Sequence, residues 1–279
     1  MENFVFQTKK IIKLQGKLLD LSRPVVMGIL NVTPDSFYDG GKYNDIDKII
    51  VQAKQMVQQG ATFIDIGGYS TRPNAEEVSE KEELQRIIPA ILAIKEKMPS
   101  VFISIDTFRA KVATQAVEAG AVLVNDVSGG SLDSQMFETV AKLGVPYVLM
   151  HMKGTPKTMS EHSDYKDIFS EITDYFTQKI AELTKLGVHD VILDVGFGFA
   201  KNMAQNYVLL NKLAYFKSLG LPLMAGISRK SMIYKRLDIN ADESLNGTTV
   251  LNTVALKNGA SILRVHDVKE AMEVINLLY

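Results

Sequence analysis

Charged and amide side chains stand at or near the ends of several short apolar runs, and their types suggest a common task. Asn31 follows the run from Val25, Asp106 closes the run from Val101, Asn125 and Asp126 close the run from Ala121, and His151 closes the run from Pro146. Asp194 lies inside the run from Asp190, the run from Pro222 leads into Ser228, Arg229, Lys230 and Ser231, and the run from Ser261 carries Arg264 and His266. Taken singly, each reads as a residue that ends a strand or caps the next helix. Their joint occurrence reads as a site. Buried carboxylates such as Asp106 and Asp194 are costly without hydrogen-bonding partners, and a ligand rich in N–H donors would supply them.

Two connections are long and unusual in composition. "NVTPDSFYDGGKYND", from Asn31, mixes two glycines, a proline and three aspartates with Phe37 and Tyr38. "GGYSTRPNAEEVS", from Gly67, offers a pair of hydroxyls and Arg72 beside Pro73. Long polar connections of this kind are usually binding loops held by a rigid scaffold.

The scaffold follows from the alternation around them. The runs "VVMGIL", "TFIDIG", "VFISID", "AVLVND", "PYVLMH", "DVILDV", "PLMAGIS" and "SILRVH" are rich in β-branched residues and apolar on both faces, as strands buried in a parallel sheet are. Amphipathic stretches separate them, and Gly60, Gly120, Gly144, Gly187, Gly220 and Gly259 stand where helices would stop before the next strand. Eight strand-then-helix units predict a (β/α)8 TIM barrel formed as one domain over residues 1–279, with a doubly wound open sheet as the alternative. Near the N-terminus, "FQTKKIIKLQGKLLDLS" alternates around Gly16 and predicts a β-hairpin closing the bottom of the barrel. In such a barrel, polar residues at the C-terminal ends of strands face the active site.

Composition narrows the function classes. A net charge of −1 from 31 basic and 32 acidic residues gives no reason to expect a nucleic-acid surface or a polybasic membrane patch. The absence of cysteine excludes disulfides, thiolate metal sites and cysteine nucleophiles, and fits a reducing cytoplasm. "MENFVFQTKK" lacks the apolar core of a signal peptide, and no apolar run is long enough for a bilayer, so a cytoplasmic location is expected.

The segments "MGILNVTPDSFYDGG", "DIGGYSTRP", "SIDTFRAKVA", "VNDVSGG", "LMHMKGTP", "ILDVGFGFAKN", "GISRKSMI" and "RVHDV" resemble, in order, the signature segments of the dihydropteroate synthases. The resemblance runs from about Met27 to Val268, and that family uses a TIM barrel. Tyr69 stands where many members have an acidic residue, and Val195 and Phe197 depart from the usual form of the segment after Asp194. These departures touch the order of the loops and the shape of the p-aminobenzoate rim, not the reaction.

The resemblance implies coupling of 6-hydroxymethyl-7,8-dihydropterin pyrophosphate to p-aminobenzoate, with release of pyrophosphate. It places Asp106, Asn125, Met150, Asp194, Lys230 and Arg264 around the pterin, and Thr71, Arg72, Arg264 and His266 around pyrophosphate. Phe37, Thr71, Pro73, Phe199, Lys230 and Ser231 would hold p-aminobenzoate, whose place sulfonamides would contest. Asp39, Arg72 and Lys230 would complete the catalytic centre, and Asn31 would bind Mg2+ held with the diphosphate. A homodimer is the family expectation. Two other readings stay open at this stage. A pterin-binding domain of a corrinoid-linked methyltransferase would share the barrel, and a phosphate-binding aldolase-type barrel would use a Schiff-base lysine.

Overall fold

The computed structural model describes residues 8–32, 42–69, 78–155 and 158–279. Its first elements are Ile11–Leu14 (β1) and Lys17–Asp20 (β2), an antiparallel hairpin in which Leu14 lies opposite Lys17. Gln15 and Gly16, between them, have φ of 46° and 84°, the positive values that a tight two-residue hairpin turn of matching twist requires. The alternation seen in the sequence is real: Ile12 and Leu14 are buried, and Ile11 and Lys13 face solvent.

The eight apolar runs form eight parallel strands: Val25–Asn31 (β3), Phe63–Gly67 (β4), Phe102–Asp106 (β5), Leu123–Asp126 (β6), Tyr147–Met150 (β7), Val191–Asp194 (β8), Leu223–Ala225 (β9) and Ala260–Val265 (β10). Each pairs with the next, and β10 returns to β3, so the sheet is a closed barrel and the open-sheet alternative is excluded. Helices pack outside it: Lys42–Gln58 (α1), Glu80–Lys97 (α2), Ala110–Glu118 (α3), Met136–Leu143 (α4), Ile168–Lys185 (α5), Met203–Asn211 (α6), Ser231–Leu237 (α7), Leu245–Lys257 (α8) and Val268–Leu278 (α9). The connection from β9 to β10 carries two of them. The expected stops are in place, as at Gly144, which takes φ 62° and ψ 32° directly after α4. Among the described residues, no helix is long and apolar enough to cross a membrane.

Strand register sorts the interior into two zones. Met27 lies opposite Phe63, and Phe63 opposite Phe102. Met27, Phe63, Leu123, Val148, Ile192, Met224 and Ile262 pack with Ile12 and Leu14 of the hairpin and with Leu21, so the hairpin does close the lower end. Lys9 ties it there through an ion pair with Asp190 at 2.7 Å. Two residues farther along, side chains of the same inward parity become polar. Asp65 stands opposite Ser104, Asp106 opposite Asn125, and Asp194 opposite Met150. The runs are therefore apolar on both faces only in the lower barrel. Outward residues such as Val26, Leu30, Ile64 and Ile66 are fully buried beneath the helices throughout.

Candidate active site

The polar zone is organised around Arg264 on β10. Its Nε donates to Asp65 Oδ2 at 2.6 Å and its Nη2 to Asp106 Oδ2 at 2.6 Å, while Asn125 Nδ2 donates to the same Asp65 oxygen at 3.0 Å. Asp106 thus has its partner within the protein, so a ligand is not its only means of compensation. Burial pushes the Asp106 carboxyl up to about 7, against the pull of Arg264 and with the help of Asp65. Burial works against the charge of Arg264, yet the carboxylates of Asp65 and Asp106 hold its proton more firmly than usual. Asp65 Oδ1 and Ser104 Oγ are buried in this zone without hydrogen-bond partners among the described residues.

A second cluster joins β8 to the connection after β9. Asp194 is buried, and its Oδ1 accepts from the Gly196 N–H at 2.8 Å. Burial raises its pKa, opposed by Lys230 and by that N–H. Lys230 Nζ donates to the Phe197 carbonyl at 2.5 Å and lies 4.6 Å from the centre of the Phe199 ring. Burial lowers Lys230 to about 8, with Asp194 opposing. A Cβ at Gly226 would lie 3.7 Å from Asp194 Oδ2, 3.8 Å from Lys230 Nζ and 3.9 Å from Arg264 Cβ, so the bare glycine leaves space on which all three converge. Met150 and Phe199 belong to a small apolar cluster with Val127, Met152, Met159 and Ala200. Ser231, half-buried, opens α7.

Arg229 precedes Lys230 with φ of 56°, a backbone conformation that side chains disfavour. Two contacts hold it there. Its Nε and Nη2 meet the Asp267 carboxylate at 3.0 and 2.6 Å, and its N–H donates to Thr248 Oγ1 at 3.1 Å. Asp267 immediately precedes α9, and its neighbour His266 sets Nδ1 3.0 Å from Ser228 Oγ.

Farther round the ring from β10, on β3, β4 and β5, Asn31 Oδ1 and Asp106 Oδ2 lie 3.7 and 3.6 Å from the position of a Cβ on Gly67. No cluster of three or more His, Asp or Glu side chains among the described residues could enclose a metal ion. One amide oxygen near a carboxylate fits Mg2+, an ion that keeps its waters and relies on phosphate oxygens, and it does not fit a fully protein-ligated ion.

Of the other expected site residues, Phe37, Asp39, Thr71, Arg72 and Pro73 lie outside the described residues. The residues flanking 70–77 are firmly held. Arg86 Nη1 donates to the Gly68 carbonyl at 2.9 Å, Arg109 Nη2 donates to that of Val78 at 2.7 Å, and Arg109 also pairs with buried Glu83. Tyr69 packs edge-on against Phe108 at 5.2 Å, with the Arg109 guanidinium 5.4 Å from its ring. Val195 and Phe197 are fully buried in the outer core, so these two departures do not form the rim.

Two strand-end residues have structural tasks instead. Asp126 accepts from Tyr147 OH, Ser128 N–H and Oγ–H, and Gly130 N–H at 2.6–2.8 Å. His151 is caged by Tyr165, Tyr175 and Phe176, and burial lowers it to about 2. Conversely, Asp65 and Lys201 were not singled out in the sequence. Asp65 carried a usable signal, a charge inside an apolar strand at the parity of Asp106. Lys201 carried none, since a lysine after a glycine-rich turn normally reaches solvent.

The chain matches the family of pterin binding enzymes over residues 27–266. The dihydropteroate synthase of Escherichia coli strain K12 is 47% identical over 266 residues, which cover 95% of this chain and 94% of the relative. The crystal structure of the Yersinia pestis dihydropteroate synthase with a sulfonamide drug is similar at a TM-score of 0.89 and 44% identity, covering 96% of this chain and 97% of the other. The Xanthomonas albilineans dihydropteroate synthase with 4-aminobenzoic acid gives a TM-score of 0.89 at 36% identity, covering 97% of both chains.

Proposed function

This chain belongs to the pterin binding enzymes and has the activity of a dihydropteroate synthase, and from that premise we propose how its residues divide the work. The enzyme joins 6-hydroxymethyl-7,8-dihydropterin pyrophosphate to p-aminobenzoate, giving 7,8-dihydropteroate and pyrophosphate. The observation that carries the assignment of roles is the convergence of Asp194 Oδ2, Lys230 Nζ and Arg264 on the space above Gly226. A pterin edge presents adjacent N–H donors and a carbonyl acceptor. A carboxylate takes the two donors together, and an ammonium serves the acceptor. Asp194 and Lys230 have those chemistries side by side, with Asn125 and Asp106 beyond them and Met150 below.

Arg264 lies against the pterin and, with His266, faces the diphosphate. The aniline nitrogen of p-aminobenzoate uses its own lone pair to bond the pterin methylene as the C–O bond to pyrophosphate breaks, and then loses a proton. No protein nucleophile is required. The role of the protein is to orient the two reactants and to favour departure of the anion. Mg2+, when bound with the diphosphate beside Asn31, would offset charge on the leaving group. Phe199, Lys230 and Ser231 are assigned to hold p-aminobenzoate, together with Phe37, Thr71 and Pro73. Asp39 and Arg72 would complete the reacting centre.

Sulfonamides are expected to compete with p-aminobenzoate, as the drug-bound Yersinia pestis relative suggests. The chain is proposed to work in the cytoplasm, which its lack of cysteine supports. It is also proposed to work as a homodimer: Val208, Leu237 and Val250, on α6, α7 and α8, are roughly half exposed and would find cover in a second copy. The corrinoid-linked alternative is set aside, because the relatives matched over nearly their whole length are dihydropteroate synthases. A coupled assay tests the reading. Pyrophosphate release from the pterin substrate should require p-aminobenzoate, and release independent of it would overturn the assignment.

A further inference from the structure

We propose that Lys201 is a positioning residue for this reaction: its ammonium gathers the carbonyls of the loop after β8 and thereby sets the two backbone groups that hold Asp194 and Lys230. The inference rests on reading the barrel mouth as the pterin site. Lysine is rarely buried, yet Lys201 is only 9% exposed. Its Nζ lies 2.9 Å from the Phe199 carbonyl, 3.1 Å from that of Gly196 and 3.1 Å from His151 Nδ1, with the His151 carbonyl at 3.4 Å.

The loop is shaped to present those carbonyls. Gly196, Gly198 and Ala200 all have positive φ, at 69°, 80° and 50°, so alternate peptides turn in opposite directions. The carbonyls of Gly196 and Phe199 meet at Lys201, whereas that of Phe197 receives Lys230. The Gly196 N–H holds Asp194. A side chain at Gly196 could not be tolerated, since a Cβ there would lie 2.2 Å from the His151 carbonyl oxygen. Both pterin-facing charges are therefore referred, through one peptide segment, to a single buried ammonium.

The charge on that nitrogen matters as well as its place. A protonated amine has three N–H donors for the three acceptors within 3.1 Å, and a neutral amine has two. Burial holds His151 neutral, and with its proton on Nε2 the Nδ1 accepts from the ammonium. The charged groups acting on Lys201 are Asp194 on β8, Lys230 after β9 and Lys153 after β7, the first favouring the proton and the others opposing it. Burial brings Lys201 down to about 7, so the loop loses its third donor as pH rises past neutrality.

The test compares whole-chain wild type with Lys201→Met, which keeps the stem and removes the donors. Wild type should form 7,8-dihydropteroate. The folded variant should show a KM for the pterin substrate raised about 10- to 100-fold, a kcat changed by less than about 3-fold, and an alkaline midpoint of kcat/KM moved upward toward that of Lys230. A general structural weakening would lower the melting temperature without this split or this shift. If Lys201→Met does not fold, His151→Phe removes one acceptor while keeping an aromatic ring, and should raise the pterin KM and move the midpoint downward. Wild-type pterin KM and midpoint in whichever of these variants folds would overturn the proposal. A wild type unable to use p-aminobenzoate at all would overturn the underlying reading instead.

Discussion

The lower and upper halves of the barrel interior are built by the same strands at the same parity, yet they are different materials. Below, Met27, Phe63, Val148, Ile192 and Ile262 interlock with the hairpin as an ordinary apolar core. Above, within two residues along β4 and β10, the inward side chains become Asp65 and Arg264, joined by an ion pair, with Asp106, Asn125 and Asp194 on the strands between them. One half is stabilised by removing apolar surface from water. The other holds charges that burial disfavours, because a polar ligand can use them. The contrast teaches that stability and function here are separated along the strand axis by one pleat repeat, not between domains.

Four measurements would break or sharpen that contrast. The largest effect is expected from Arg264→Ala, since it leaves Asp65 and Asp106 buried without their cation. Loss of one partner from such a pair costs roughly 3–5 kcal/mol of stability, and both pterin and pyrophosphate affinity should fall with it. His266→Ala should weaken pyrophosphate alone. Equal loss of pterin affinity in the two variants, measured by calorimetry, would contradict this division of labour.

Phe63→Ala addresses the other half. Its fully buried ring should cost about 3–5 kcal/mol in chemical denaturation, while KM for both substrates stays at the wild-type value in the folded protein. A changed KM would show that the lower core reaches the site. Asp194→Asn should reverse the pattern, losing roughly 2–4 kcal/mol of pterin binding with the melting temperature unchanged or higher. Near-wild-type pterin affinity would remove Asp194 from its assigned role.

The smallest effect is a pH profile. Glu83, Asp106, Asp126 and Asp194 have raised values in the folded state, so the fold binds extra protons, and their stabilising effect is lost as pH rises above the ordinary carboxylate range, for Asp106 through about 7. Lys201 and Lys230, lowered to about 7 and 8, work in the opposite direction, and stability returns as pH climbs from there toward 10.5. His151, lowered to about 2, opposes those carboxylates below about 6.5, so the single-residue test is Asp106→Asn, which should gain stability relative to wild type as pH rises from about 4 through about 7. Thermal melts of both proteins across pH would show it, and a stability difference that stays constant over that range would contradict it.

What could be read from residues alone follows the same division. Strand runs, glycine stops and the hairpin alternation are local patterns, and each appears where expected. The strand-end positions of Asp106, Asn125, Asp194 and Arg264 were legible because a parallel barrel exposes strand C-termini. The pairing of Asp106 with Arg264 was not, since it spans 158 residues and depends on register around the closed ring. Lys201 was hidden for a different reason. Its burial depends on Ala200 adopting a left-handed turn, at φ 50°, which nothing in the residue type of alanine announces.

The pairing of β10 with β3 also bears on how the chain is made. Val25 and Ile262, neighbours in the finished sheet, are separated by almost the whole length of the polypeptide. During synthesis the ring cannot close until the last strand has left the ribosome, and contacts of such long range are slow to form. The same strand delivers Arg264, which reaches Asp65 across 199 residues. Before that moment, the carboxylates of Asp65 and Asp106 lack the cation that they meet in the folded barrel, and a dry interior is out of reach there. Ring closure and charge neutralisation are one event, so a chain truncated before Ala260 has neither a sealed barrel nor half a binding site to offer.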